Sequence, residues 1–141
     1  HRMCKIEACN FLILDDTYNS SYDSLVLALD VLKSFSARKI AVLGDILELG
    51  EFSEKIHRDI GELVLNTHVD LLVTVGELSK YINEEAMKLG LNIDSCFHFD
   101  KNEEAIDFLK NNIKAKDVVL VKASHAMNFG QIVDELKVWE F

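Results

Sequence analysis

Five short apolar runs punctuate the chain: "FLILDD" from Phe11, "RKIAVLGD" from Arg38, "DLLVTVG" from Asp70, "SCFHFD" from Ser95 and "DVVLVKAS" from Asp117. Each has the length of a β-strand. Most are nearly continuous in apolar side chains rather than alternating, the pattern of parallel strands buried on both faces. A sixth segment, "CKIEAC" at Cys4–Cys9, precedes Asn10 and the first long run. An asparagine at that point predicts a tight turn, so this strand is expected to lie antiparallel at an edge.

Between the runs, apolar residues recur at helical spacing. Leu25, Leu29, Leu32 and Phe35 define one helix, with Ser21 or Asp23 as its cap. Ile56, Ile60, Leu63 and Val64 define a second, with Ser53 as the expected N-cap. Leu78, Ile82, Ala86 and Leu89 mark a third, ended by Gly90. Ala105, Ile106, Leu109 and Ile113 mark a fourth, and Ile132, Val133 and Leu136 a fifth. Strands and helices in this alternation predict right-handed βαβ units. The expected fold is α/β: a three-layer, Rossmann-like domain with a mainly parallel sheet of about six strands and helices on both faces.

Sheets of this kind bind ligands at the carboxyl ends of their strands, so the residues that end each run matter. They are Asp15-Asp16, Gly44-Asp45, Gly76, Asp100 and Lys122-Ala123-Ser124-His125. The first ending continues into "TYNSSYDS", more polar ligand-bonding side chains than a surface turn requires. A plainer alternative is that Asp15, Asp16 and Ser21 only cap the next helix.

Composition narrows the function. The chain has 141 residues, 49% of them hydrophobic and 28% charged, which suits one globular domain. The net charge of −9 and a pI near 4.9, with no basic run, argue against nucleic acid as a partner. No apolar stretch approaches the ~20 residues of a membrane helix, so no membrane insertion is expected. Cys4, Cys9 and Cys96 form no C-x-x-C pair, which points to reduced thiols in a cytoplasmic protein rather than to a disulfide framework or a metal site. The opening "HRMCKIEA" reads like a cut inside a longer protein. His57 does not belong to an H-E-x-x-H motif, so a loop-to-helix hydrogen bond is its expected role; His68 and His98 read as ordinary histidines.

Three readings of the polar edge compete. A phosphorelay receiver would use Asp15, Asp16 and Lys122, but its phosphate-accepting aspartate should end the third long strand, and that strand ends in Val75-Gly76. A dinucleotide-binding domain needs G-x-G-x-x-G after the first strand, where this chain has no glycine, and no Walker A loop occurs anywhere.

The third reading is a resemblance. "DDTYNSSYDS" is similar to the D-[ST]-Y-N-A-N-P-x-S segment of the Mur ligases, in the branch that adds D-alanyl-D-alanine. "AVLGDILELGEFSEKIHRDIG" resembles that branch's A-V-L-G-D-M-x-E-L-G block and the H-x-x-[IV]-G that follows. "VLVKASHAMNFGQIV" resembles its V-L-x-K-[GA]-S-R-x-M-x-M-E-x-[IV]-[IV] segment. The three blocks occur in order from Ile13 to Val133. The resemblance implies that residues 1–141 form the C-terminal domain of a three-domain ligase, the UDP-substrate and central ATPase domains lying outside it. It implies ATP-driven amide bond formation through an acyl phosphate, with UDP-MurNAc-tripeptide, D-Ala-D-Ala and ATP as partners. Mg2+ would be held mainly by the central domain. Alone, the chain is expected to be monomeric and inactive.

The resemblance also implies roles. Asp16 would accept hydrogen bonds from the ATP ribose, Tyr18 and Asn19 would line the nucleotide pocket, and Arg2 would reach ATP from the domain junction. Lys122 and Ser124 would meet the dipeptide carboxylate or a phosphate. His125 stands where the family usually has arginine, so either Lys122 holds the carboxylate alone or His125 is a spectator. Asp45 and Glu48 would hold the amine donor, or Asp45 would pin its own loop to backbone amides. Phe129 would close the substrate pocket or belong to the core. "YNSSYDS" has Ser21 and Tyr22 where the family has asparagine and proline, which predicts a looser turn. The reading from another class is a non-catalytic, receiver-like signalling or ligand-binding module.

Overall fold

The computed structural model describes residues 3–141. Its strands are β1 (Cys4–Ala8), β2 (Phe11–Asp15), β3 (Lys39–Gly44), β4 (Leu71–Val75), β5 (Cys96–Phe99) and β6 (Val118–Lys122). They form one sheet in the order β1-β2-β6-β3-β4-β5, in which β1 pairs antiparallel with β2 and every other pairing is parallel. Asn10 makes the β1–β2 turn with φ at 69°, a backbone region that asparagine tolerates better than most residues. The helices among the described residues are α1 (Tyr22–Lys33), α2 (Ser53–Thr67), α3 (Lys80–Lys88), α4 (Asn102–Asn112) and α5 (Gly130–Lys137).

β3, β4 and β6 are apolar at nearly every position and buried throughout, save Lys39 at the start of β3. Two cores result. Leu25, Leu29 and Leu32 of α1, Ile60 and Val64 of α2, and Ile82 and Ala86 of α3 pack on one face of the sheet. Leu109 of α4 and Ile132 and Leu136 of α5 pack on the other.

This division fixes where a crevice can open. β2 and β3 run on into α1 and α2 on one face, whereas β6, which lies between them, runs on into α5 on the opposite face. The chain therefore diverges on both sides of the carboxyl end of β6, the arrangement that makes a ligand crevice in open α/β sheets. The same order rules out the receiver reading. Without β1 the strands run 1-5-2-3-4, whereas a flavodoxin-like receiver runs 2-1-3-4-5.

Several helix boundaries differ from the sequence pattern, Leu89 and Ile113 being the residues that follow α3 and α4. Ser53 is already helical, because Gly50–Phe52 form a 3-10 turn that leads directly into α2 without a side-chain cap. Leu78 precedes α3, and Phe35 follows α1 while still packing against its core. At α1 the expected cap is present: Ser21 and Ser24 exchange hydrogen bonds with each other's backbone amides.

α2 and α3 approach closely at Gly61, where a Cβ would lie 2.7 Å from the Ile82 carbonyl oxygen and 2.8 Å from Glu85 Cβ. Gly61→Val is expected to destabilise the fold by roughly 2 kcal/mol, the overpacking strain exceeding the small gain in helix propensity. The midpoint and slope of urea denaturation would measure it.

Candidate functional site

The crevice at the end of β6 is closed underneath by one ion pair. Lys122 Nζ lies 2.9 Å from Asp16 Oδ2, across the parallel β2–β6 pairing, and donates to the Asn19 carbonyl oxygen at 2.9 Å. Its side chain is 2% exposed and that of Asp16 18%. A lysine at that depth requires a carboxylate partner, since an unpaired buried charge is costly. The sequence supplies the partner on the neighbouring strand. The second bond ties the 16–21 loop down onto the sheet. Asp15, one residue earlier, turns locally, accepting from the Thr17 hydroxyl at 2.7 Å and amide at 3.2 Å.

Three adjoining cavities open above this pair. The first, of about 410 Å³, is lined by residues that include Asp15, Asp16, Tyr18 and His125. The second, about 260 Å³, lies over Asp16, Lys122 and the 18–21 loop. The third, about 270 Å³, includes Asn19, Ser20, Glu48, Ser124 and His125. Tyr18 and His125 meet edge-on at the mouth, with ring centroids 5.7 Å apart. Ser124 is fixed from two sides: its hydroxyl accepts from the Leu47 amide at 2.9 Å, and its amide donates to the Asp45 carbonyl at 3.1 Å. These bonds join the β6 ending to the β3 loop. In that loop Glu48 is exposed and has φ at 66°.

Seven of the expected residues, Asp16, Tyr18, Asn19, Glu48, Lys122, Ser124 and His125, thus line adjoining cavities. Lys122 does so from beneath, already engaged by Asp16 and the Asn19 carbonyl. Asp45 and Phe129 do not line these cavities. Asp45 is buried, and its Oδ1 accepts from the Leu78 and Ser79 amides at 3.1 and 2.7 Å. Those amides open α3 and need an acceptor, so of the two roles open to Asp45 the backbone-pinning one matches the geometry. Gly76 makes room for it: φ there is 118°, and a Cβ would come within 2.5 Å of Asp45 Oδ1. Phe129 is 1% exposed and packs in the core against Gly44 and Ala123. Arg2 lies outside the described residues.

Ser20, Leu47 and Asn128 also line the cavities and were not singled out from the sequence. Their positions depend on how loops from different strand ends meet, which no local pattern records.

His57 makes the expected loop-to-helix bond. It is buried, its Nδ1–H donates to the Ser53 carbonyl at 2.6 Å, and its Nε2 accepts from the Ile46 amide at 3.0 Å. His98 belongs to a separate polar cluster. The Thr74 hydroxyl donates to Asn83 Oδ1 and accepts from His98 Nδ1 at 2.8 Å, while Asn83 Nδ2 donates to the Phe97 carbonyl. Among the described residues no group of three or more His, Cys, Asp or Glu side chains could hold a metal ion.

Comparison with known proteins identifies the family. Residues 1–125 match the family described as "Mur ligase, glutamate ligase domain". The chain belongs to the Mur ligase family. Over 134 residues it is 39% identical to the UDP-N-acetylmuramoyl-tripeptide–D-alanyl-D-alanine ligase of Haemophilus influenzae, covering 91% of this chain and 28% of that protein. It is 32% identical to the ligase of the same name from Bacillus subtilis, covering 88% and 27%. The backbone is similar to that of MurF from Acinetobacter baumannii, with a TM-score of 0.86, 30% identity, and 96% of this chain covering 30% of that one. It is also similar to MurF ligase from Thermotoga maritima in complex with ADP, with a TM-score of 0.81, 27% identity, and coverage of 96% and 30%. The chain therefore spans less than a third of the length of these Mur ligases.

Two predictions arise from the electrostatics. Lys122→Met strands the Asp16 carboxylate, and the loss is expected to be roughly 3 kcal/mol, the low end for a broken buried pair because Asp16 keeps some contact with water; chemical denaturation would read it. For His98, burial is the largest influence and holds the imidazole below its ordinary 6.5, outweighing the nearby Asp100 and Asp45 carboxylates. The unfolded chain binds that proton more readily, so the contribution of His98 to stability is complete above about pH 6.5 and falls as pH drops below it. His98→Gln is expected to flatten this part of the stability–pH curve, measured by urea denaturation between pH 5 and pH 7.5.

Proposed function

We propose that residues 1–141 serve as the C-terminal domain of an ATP-dependent ligase that joins D-alanyl-D-alanine to UDP-MurNAc-tripeptide in cytoplasmic peptidoglycan synthesis. The observation that carries this reading is the convergence of Asp16, Tyr18, Asn19, Glu48, Ser124 and His125 on adjoining cavities at the carboxyl edge of β6. A relative named for this reaction is 39% identical over nearly the whole chain.

The chemistry asks the domain for positioning and charge placement rather than covalent help. ATP activates the tripeptide carboxylate as an acyl phosphate, and the dipeptide amine then displaces phosphate. The first cavity suits the nucleoside. The Asp16 carboxylate offers acceptor oxygens to a ribose diol, and Tyr18, with 49% of its surface exposed, offers a ring to the base. The cleft does not suit a triphosphate: Lys122 is committed to Asp16, and the sequence has no P-loop. Triphosphate and Mg2+ therefore belong to the central domain of the ligase. The third cavity suits a small zwitterion, with Glu48 for its ammonium and Ser124 and His125 for its carboxylate. Closure of this domain over the other two would bring the amine to the acyl phosphate.

The reading is tested by grafting residues 1–141 in place of the matching segment of the Haemophilus influenzae ligase. The graft is expected to release ADP only when both D-Ala-D-Ala and the UDP-linked tripeptide are present, while the isolated chain releases none. A folded graft with no activity, or with ADP release indifferent to the dipeptide, would overturn it.

A further inference from the structure

Ser20 carries a hydroxyl that the fold does not use. Its residue is 7% exposed, and among the described residues its Oγ is the buried side-chain polar atom without a hydrogen-bond partner. An orphaned buried hydroxyl is a standing cost to stability. Its neighbours do not share this condition: Ser21 and Ser24 cap α1, and the Ser124 hydroxyl holds the Leu47 amide. Alanine, which the family pattern has here, would carry no such cost.

Ser20 also stands in the wall between two of the cavities. It lines the one over Asp16 and Lys122 and the one holding Glu48, Ser124 and His125. We propose that Ser20 is a ligand-positioning residue, its Oγ donating a hydrogen bond to the carboxylate of an amino-acid or small dipeptide ligand seated between Glu48 and His125. This deepens, and rests on, the reading of that cavity as the dipeptide subsite. The physical reason is preorganisation. The hydroxyl is already stripped of water, so a carboxylate that reaches it regains a bond without displacing solvent from Oγ. The loop that carries it is held by Lys122 through the Asn19 carbonyl, which keeps Ser20 fixed in the wall that the two cavities share.

The test compares wild type with Ser20→Ala in the 141-residue chain. Amide shifts are followed by NMR with D-Ala-D-Ala and with D-alanyl-D-alaninamide, which lacks the carboxylate. Ser20→Ala is expected to weaken binding of the acid about tenfold, as loss of a bond to a charged group does, and to change binding of the amide by less than twofold. The urea midpoint of Ser20→Ala is expected to rise, because the orphaned group is gone. Equal acid and amide affinities in the two proteins would reduce Ser20 to a structural curiosity and overturn the proposal. Absence of any wild-type shift with D-Ala-D-Ala would overturn it too. The wider reading is judged separately by the grafted ligase, whose activity does not require the isolated chain to bind.

Discussion

The Asp16–Lys122 pair organises the carboxyl edge of this sheet. It joins the ends of two strands that are neighbours in space and far apart in sequence. A lysine buried at the end of β6 would be untenable alone. Paired, it does two things at once: it fixes the register of β2 against β6, and it draws the Asn19 carbonyl down so that the 16–21 loop covers the sheet end. The cavities above exist because this loop is held low while the Ser124–Leu47 and Ser124–Asp45 bonds hold the facing loop.

The position of β6 gives that pair its opportunity. With β6 between β2 and β3, chain ends leaving to opposite faces part on either side of one strand. Side chains on three different loops then face one another across a gap that no backbone crosses. Among the described residues, acidic groups accumulate there beside the buried Lys122, which Asp16 already engages.

Rigidity and strain are distributed unevenly around the cleft. Asp45 and His57 are engaged in pinning loops to helices, Ser124 accepts from the Leu47 amide while its hydroxyl still has a proton to donate, and glycine at position 76 permits the close approach that Asp45 requires. Among the described residues at the cleft, Glu48, exposed and in the left-handed region, and Ser20, buried and unpartnered, have local energetics that favour another conformation or another residue; Asn128 is also left-handed, a region asparagine tolerates.

Much of this was legible in the linear sequence. Continuous apolar runs reflect burial on both faces of a parallel strand, so all five long strands and the Asn10 turn could be read directly. Helical spacing located the five helices, with errors only at ends such as Ser53 and Phe35, where a 3-10 turn or a following loop continues the apolar pattern. The polar strand endings marked the edge where the cavities open, because loops diverge where parallel strands stop. Tertiary structure alone decided the strand order, since periodicity carries no information about which strand lies beside which. It decided that Lys122 is spent on Asp16 and that Asp45 turns inward to the α3 amides, because an aspartate's role depends on which unpaired groups the fold brings to it. It also separated Ser20 from the other serines of "NSSYDS": three similar hydroxyls in sequence become two caps and one orphan only when the loop is laid against β6.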